Sequence, residues 1–383
     1  MSVSANWNYP TAIKFGAGRV GELPQHATAV GMKRPLLVTD NALAALPIVR
    51  ETLDLLQDAN IETALFADVR SNPTDENLEA GVAAYRNGGH DGVIAFGGGS
   101  GLDLGKLVAF AAGQTRPIWD FEDIGDWWTR ADPSGIAPII AVPTTAGTGS
   151  EVGRAGVLTD SKAHVKKVIF HPKMMPTVVI CDPALTVGMP PRITVGTGLD
   201  AFAHCLEAYC APGFHPLADG VAVEGMRLVK EHLPRVFATP GDLEARGAMM
   251  AAAAMGATAF QKGLGAIHAL SHPIGALYDT HHGMTNAVVM PAVLEANRAA
   301  IETRIERLAA YLGTPGGFDG FLSFVRELRS DLGVPNTLTE FGVPRDEFDK
   351  LCTMSLSDPT AGGNPLPLTH DLAARMLEAA FDG

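Results

Sequence analysis

Apolar and polar positions along this chain follow two different rhythms, and the change comes near residue 190. In the first part, short apolar runs alternate with amphipathic segments. Residues 36–39 read as a strand closed by Asp40, and Pro47 opens a helix with Val49, Leu53 and Leu56 on one face. A strand at 63–66 leads into the loop Ser71-Asn72-Pro73. Thr74 then caps a helix that turns Leu78, Val82 and Tyr85 inward and stops at Gly88-Gly89. Residues 92–96, 139–142 and 178–180 supply further short apolar strands, and 102–112 a further helix. Strands alternating with helices predict a doubly wound, mainly parallel sheet.

After Gly188-Met189-Pro190-Pro191 the strand pattern ends. Helical spacing covers 192–211, 216–238, 242–262, 285–312, 318–330, 346–354 and 369–381. The expected organisation is an α/β domain at 1–189 and an all-helical domain at 190–383. The uncharged stretch 247–261, rich in Ala, Gly and Met, is too short to span a bilayer. It predicts a buried helix whose small side chains let neighbouring helices approach.

Composition narrows the class. A chain of 383 residues with 46% hydrophobic and 19% charged residues has enough apolar material for two compact cores. The net charge of −13 and the lack of a Lys/Arg stripe argue against a nucleic-acid surface. An anionic ligand must then be bound locally, by backbone N–H groups and helix N-termini. Four cysteines without C-x-x-C spacing fit a reducing compartment. The first ten residues lack the basic start and apolar core of a leader, so a cytoplasmic location is expected. The acidic, aromatic stretch 119–128 reads as a surface insertion packed on its own tryptophans, or else as a substrate rim or subunit contact.

Candidate chemistry gathers in residues 263–291, which hold four of the twelve histidines: His268, His272, His281 and His282. His268 and His272 lie one turn apart on one helix face. Pro273 is expected to interrupt that helix, and Gly283 to let the chain turn. Upstream, Asp200 and His204 share a face in the same way, among Ala, Phe, Leu and Cys. One Asp with three His makes a full ligand set for Fe(II) or Zn(II).

Two glycine-rich turns compete for a phosphate group. Gly16 to Gly21 fits G-x-G-x-x-G, with Asp40 downstream, but the run before it is short and polar-edged, so a simple turn is the better reading. Gly97-Gly98-Gly99-Ser100 follows an apolar strand and precedes a helix, which offers close backbone approach and a positive dipole end. Residues 143–151, PTTAGTGSE, also follow a strand and suit a second wall.

GGGS, PTTAGTGSE, D-x-x-x-H, and H-x-x-x-H-P-x-G followed by H-G together resemble the iron-containing (group III) alcohol dehydrogenases. The likeness runs from about Ile13 to the C-terminal helix. It implies an N-terminal NAD-binding α/β domain and a helical, metal-binding catalytic domain. It places metal ligands on Asp200, His204, His268 and His282, and a proton relay on His272. It implies cofactor contacts from Asp40 at the adenosine ribose, Asn72, Gly97, Gly98, Gly99, Ser100, Asp103, Thr144, Thr145, Thr148, Lys166 and Leu185. Two positions depart from the family pattern. His281 stands where Pro often precedes His-Gly, and Gly153 where a hydroxyl residue is usual.

The implied reaction is NAD(H)-dependent interconversion of a small alcohol, diol or hydroxy acid with its aldehyde or ketone, with Fe(II), or Zn(II) or another first-row cation, as Lewis acid. Asp40 favours NAD over NADP, because a carboxylate accepts from the ribose 2′-OH and repels a 2′-phosphate. The expected partners are the small-molecule substrate and further copies of the chain, a homodimer or larger, with no nucleic acid and no membrane. Rival readings are a lyase of the dehydroquinate-synthase type and a metal-dependent hydrolase without nucleotide.

Overall fold

A computed structural model describes residues 11–163 and 165–383. Residues 1–10, read above for the absence of a leader pattern, lie outside the described residues. The described chain falls into two compact units, one of 11–145 with 149–188 and one of 146–148 with 189–383.

The first unit holds strands β1 (Ala12–Phe15), β2 (Leu36–Val38), β3 (Ala64–Phe66), β4 (Val93–Gly97), β5 (Ile139–Pro143), β6 (Ala155–Asp160), β7 (Val165–Phe170) and β8 (Val178–Cys181). Its helices are α1 (Leu23–Ala29), α2 (Asn41–Ala44), α3 (Pro47–Asp58), α4 (Asp75–Asn87) and α5 (Gly99–Ala111). Six strands form a parallel sheet in the order β1-β8-β5-β4-β2-β3. The four inner strands are buried throughout, as continuous apolar runs require, while β1 and β3 at the edges are half-exposed. The chain leaves β2 for β3 on one side and returns to β4 on the other. The winding reverses there, so the crevice at the carboxyl ends of β2 and β4 is where such sheets bind ligands.

Three local findings refine the sequence expectations in this unit. The Gly16 to Gly21 turn has its N–H groups occupied: Gly18 N and Val20 N donate to Asp182 Oδ1 and Oδ2, each at 3.0 Å. A carboxylate of the protein already fills the place an incoming anion would take. The antiparallel hairpin β6–β7 was not expected, and its half-exposed β7 with Lys166-Lys167 at the centre explains why. In the 119–128 stretch, Trp127 is covered by nearby Arg130, while Trp128 packs edge-on against Phe170 and Trp119 lies under Lys167, so the insertion packs on its own tryptophans and also on β7.

The second unit is helical among the described residues: α6 (Pro191–Cys210), α7 (Pro216–Ala238), α8 (Leu243–Ala259), α9 (Ala266–Tyr278), α10 (His282–Ala296), α11 (Arg298–Leu312), α12 (Gly317–Asp331), α13 (Phe348–Leu356) and α14 (His370–Asp382). From Gly198 to Cys210 every residue of α6 is buried, which makes it the central rod. Leu199, Phe202 and Leu206 each contribute about 1.5–3 kcal/mol by leaving water. The small residues of α8 let it approach closely, since a Cβ on Gly256 would sit 3.0 Å from His204 Cβ. The stretch 285–312 is two helices, broken at Asn297, whose buried amide pairs with Asn364. None of the described helices is long and apolar enough to cross a membrane.

Pro273 does not end its helix. It sits within α9, which runs on to Tyr278, because buried packing of Ala266 to Leu270 and Ile274 holds the turn that lacks one N–H donor. Gly283 does not turn the chain either. It lies in the first turn of α10, where a Cβ would stand 2.0 Å from Gly196 O, so glycine is required by the close crossing of α10 over α6.

Candidate active site

Within the helical unit, α6 presents Asp200, His204 and Glu207 at one-turn intervals, α9 presents His268 and His272, and α10 opens with His282. Three imidazole nitrogens converge on one carboxylate oxygen. From Asp200 Oδ1, the Nε2 atoms of His204, His268 and His282 stand at 3.8, 3.7 and 3.5 Å. Ligands about 2.0–2.1 Å from a tetrahedral cation are roughly 3.3–3.5 Å apart, so these separations suit a shared ion better than direct hydrogen bonds. Asp200, His204 and His268 are all buried. His281 turns elsewhere: it caps α10, with Nδ1 accepting from Met284 N.

Electrostatics favour a cation here. Burial pushes the Asp200 carboxyl up, but the three surrounding imidazoles override it and hold it well below the usual carboxylate range. Burial lowers His204 to about 4, leaving it neutral and able to donate a lone pair. Burial also opposes charge on His268, yet Glu207 and Asp200 outweigh it and raise its pKa to about 9. Two buried carboxylates, Asp200 and Glu207, beside these rings supply negative charge for a cation. The His204 Nδ1 and Asn286 Oδ1 atoms are buried without a protein partner. Nitrogen-rich ligands with one carboxylate fit Fe(II) or Zn(II).

The support around these residues is built in. His268 Nδ1 donates to Glu207 Oε2 at 2.6 Å, and Ile267 N donates to Glu207 Oε1 at 2.6 Å. Asn286 Nδ2 donates to Asp200 Oδ1 at 2.8 Å. His272 stacks on His282, with ring centroids 5.3 Å apart, and its Nδ1 donates to Asp358 Oδ2 at 2.8 Å.

In the α/β unit, Asp40, Gly97 to Ser100, Thr144, Thr145 and Leu185 lie at or just past the carboxyl ends of β2, β4, β5 and β8, whereas Asp103 lies within α5 and Lys166 near the start of β7. Asp40 follows β2 and caps α2, accepting from Leu43 N at 2.8 Å. Helix α5 starts at Gly99, earlier than its apolar spacing predicts, so Gly99 and Ser100 form its first turn. Gly98 caps that helix without a side-chain bond, leaving the first N–H groups without intrahelical acceptors. Gly97 has φ 144°, a backbone conformation that favours glycine. The hydroxyls of Thr39 and Thr144, on the two sides of Gly97, are buried without protein partners. Thr145 lies against Gly98, and Leu185 is buried just past β8. Ser100 Oγ donates to Ser71 O at 2.5 Å, which ties the Asn72 loop to α5. Thr159, paired with Lys166 across the hairpin, donates through its N–H to Pro73 O at 2.7 Å. Asp103 is engaged internally, accepting from Ser150 Oγ, from buried Lys106 at 3.2 Å and from Val157 N at 3.1 Å. Thr148 belongs to the helical unit.

The model of iron-containing alcohol dehydrogenases matches residues 10–183, and that of the family's C-terminal part matches residues 194–381. The chain belongs to the iron-containing alcohol dehydrogenase family. It is 39% identical over 383 residues to a 4-hydroxybutyrate dehydrogenase of Cupriavidus necator, covering 97% of this chain and 99% of that one. It is 32% identical to an NAD-dependent methanol dehydrogenase of Bacillus methanolicus, over 98% of this chain and 100% of that one. A crystal structure of 1,3-propanediol oxidoreductase superposes with a TM-score of 0.94 at 34% identity, covering 98% and 100% of the two chains. This alcohol dehydrogenase is therefore an oxidoreductase, and neither the lyase nor the nucleotide-free hydrolase reading is favoured.

Three residues beside the site of this alcohol dehydrogenase carry signals of unequal strength in the sequence. Glu207 lies three residues after His204 and Asn286 four after His282, so helical spacing alone puts them on the same faces. Asp358 is 86 residues from His272, and no local pattern joins them.

Proposed function

We propose that Asp200, His204, His268 and His282 hold one divalent cation, Fe(II) by family and Zn(II) by equal chemistry, and that His272 carries the substrate's proton. The observation behind this reading is the convergence of three imidazole nitrogens on Asp200 Oδ1. When bound, the cation supplies Lewis acidity toward an alcohol or carbonyl oxygen, and NAD supplies hydride exchange. Within the protein, Asp200 gives the site its negative charge, and Glu207 orients His268 so that Nε2 remains the ligand atom. Glu207→Gln is expected to lower metal affinity roughly 10–100-fold, read by competition with a chromophoric chelator. Unchanged affinity would remove Glu207 from the site.

The nucleotide side of the reading rests on the strand ends. Gly97, Gly98, Gly99 and Ser100 would receive the pyrophosphate on the α5 N-terminus. Asn72, Thr144, Thr145, Thr148, Lys166 and Leu185 would line the cofactor, and Asp103 would act by holding Ser150 and β6 to α5. Asp40 would accept from the adenosine ribose. The α/β unit would thus be the NAD-binding part, and the helical unit the metal-binding part. Substrates of this class are small alcohols, diols or hydroxy acids, as the names of the relatives suggest. A cytoplasmic homodimer or larger assembly completes the reading.

The direct test is a panel of such alcohols followed at the NADH absorbance, with protein reconstituted in Fe(II) under anaerobic conditions. Sustained NADH formation is expected; none with any alcohol would sink the proposal. Asp40→Gly then tests the cofactor choice. Glycine at a helix N-cap costs only a few tenths of a kcal/mol, so the fold is little disturbed. The ratio of kcat/KM for NAD over NADP should fall, and an unmoved ratio would discard the role of Asp40.

A further inference from the structure

Asp358 lies in the segment after α13 and meets α9 at His272. Its side chain is nearly buried, with 10% exposure, against 30% for the His272 side chain. Its two oxygens do different work. Oδ2 faces His272 Nδ1 at 2.8 Å. Oδ1 accepts from Thr360 N at 2.9 Å and from Thr360 Oγ1 at 2.5 Å, and the Thr360 hydroxyl lies 3.3 Å from Gly265 O just before α9. The carboxylate is therefore locked in rotation. An ionised carboxylate only accepts hydrogen bonds, so the neutral ring facing Oδ2 must carry its proton on Nδ1.

We propose that Asp358 is a positioning residue that fixes the tautomer of His272, leaving the Nε2 lone pair to take the substrate's hydroxyl proton. The inference rests on the reading of His272 as the proton carrier. As the alcohol gives up hydride, with its electron pair, to NAD+, its hydroxyl proton must also leave. Nε2 accepts that proton only when Nδ1 already holds the other; in the reverse direction the same nitrogen returns it.

The Thr360 clamp makes an unusual prediction. In Asp358→Asn, the two Thr360 donors select the amide oxygen, so the amide NH2 turns toward His272 Nδ1. The ring then takes the Nε2–H tautomer, which cannot accept a proton. Asp358→Ala leaves the ring free to adopt either form. Kcat is expected to fall roughly 10²–10⁴-fold in Asp358→Asn and less in Asp358→Ala, with the alcohol KM and bound metal near parental values. Nitrogen NMR of the ring, assigned by its loss in His272→Ala, should show the proton moved from Nδ1 to Nε2 in Asp358→Asn. Thr360→Val added to Asp358→Asn removes one clamp donor and should return part of the rate.

A residue that only supported the fold would tolerate the near-isosteric asparagine better than alanine. That order of kcat, or an unchanged ring tautomer, would overturn the proposal. The two readings fail separately. Parental kcat in His272→Ala refutes the proton carrier itself, whereas a slow His272→Ala beside a fast Asp358→Asn refutes only the role of Asp358.

Discussion

His268→Ala is expected to purify without bound metal and without measurable alcohol oxidation, the two losses arriving together. His268 is the most interconnected member of the cluster: its Nε2 faces Asp200 at 3.7 Å while its Nδ1 is bonded to Glu207 at 2.6 Å. Removing the ring deletes a proposed ligand and leaves buried Glu207 Oε2 without its donor, although Ile267 N still holds Oε1, at about 1–3 kcal/mol for the unsatisfied oxygen. Added metal should therefore not restore activity. His272→Ala is the contrasting case. It touches His268 and His282 without belonging to the proposed ligand set, so it should keep its metal and lose roughly 10²–10⁴-fold in kcat. Metal analysis of both purified variants separates the roles. Equal metal in the two would refute the ligand assignment.

Gly283→Ala should be costly although it adds one methyl group. That carbon would stand 2.0 Å from Gly196 O, 2.7 Å from Gly196 C and 3.0 Å from Asp200 Cβ. Backbone atoms cannot swing aside as a flexible side chain can, so α10 must move from α6 by about an ångström. Overpacking of this kind costs about 1–3 kcal/mol, and a rigid backbone obstacle belongs at the upper end. The same displacement carries His282 away from Asp200, and metal sites tolerate errors of only about 0.2 Å. A melting temperature several degrees lower, with reduced metal content, is the expected result. Parental values for both would show slack between the helices that the structure does not have.

The sheet was legible because β4 and β5, buried on both faces, appear as unbroken apolar runs, and because Pro47 and Thr74 mark helix starts. Asp200 with His204, and His268 with His272, were legible because helical periodicity turns sequence spacing into spatial proximity. Other features depend on long-range contacts. The break at Asn297 is made by a partner 67 residues away, and Asp358 reaches His272 across 86. Pro273 and Gly283 misled because both carry a local preference that packing overrules. The Gly16 turn is the simple turn its short, polar-edged run suggests, and what no local pattern shows is that Asp182 arrives from the far end of the unit to occupy it.

One helix carries Asp200, His204 and Glu207 in successive turns, and it is encased along that length. Their mutual distances are dictated by helical rise, not by loop flexibility, so the only adjustable dimension is how closely α9 and α10 press from the side. With three imidazoles and one carboxylate as the proposed donors, such a site would suit neither the six to eight oxygens of calcium nor the octahedral oxygen shell of magnesium. On the proposed ligand set, discrimination against those cations would follow from which side chains one helix carries in register.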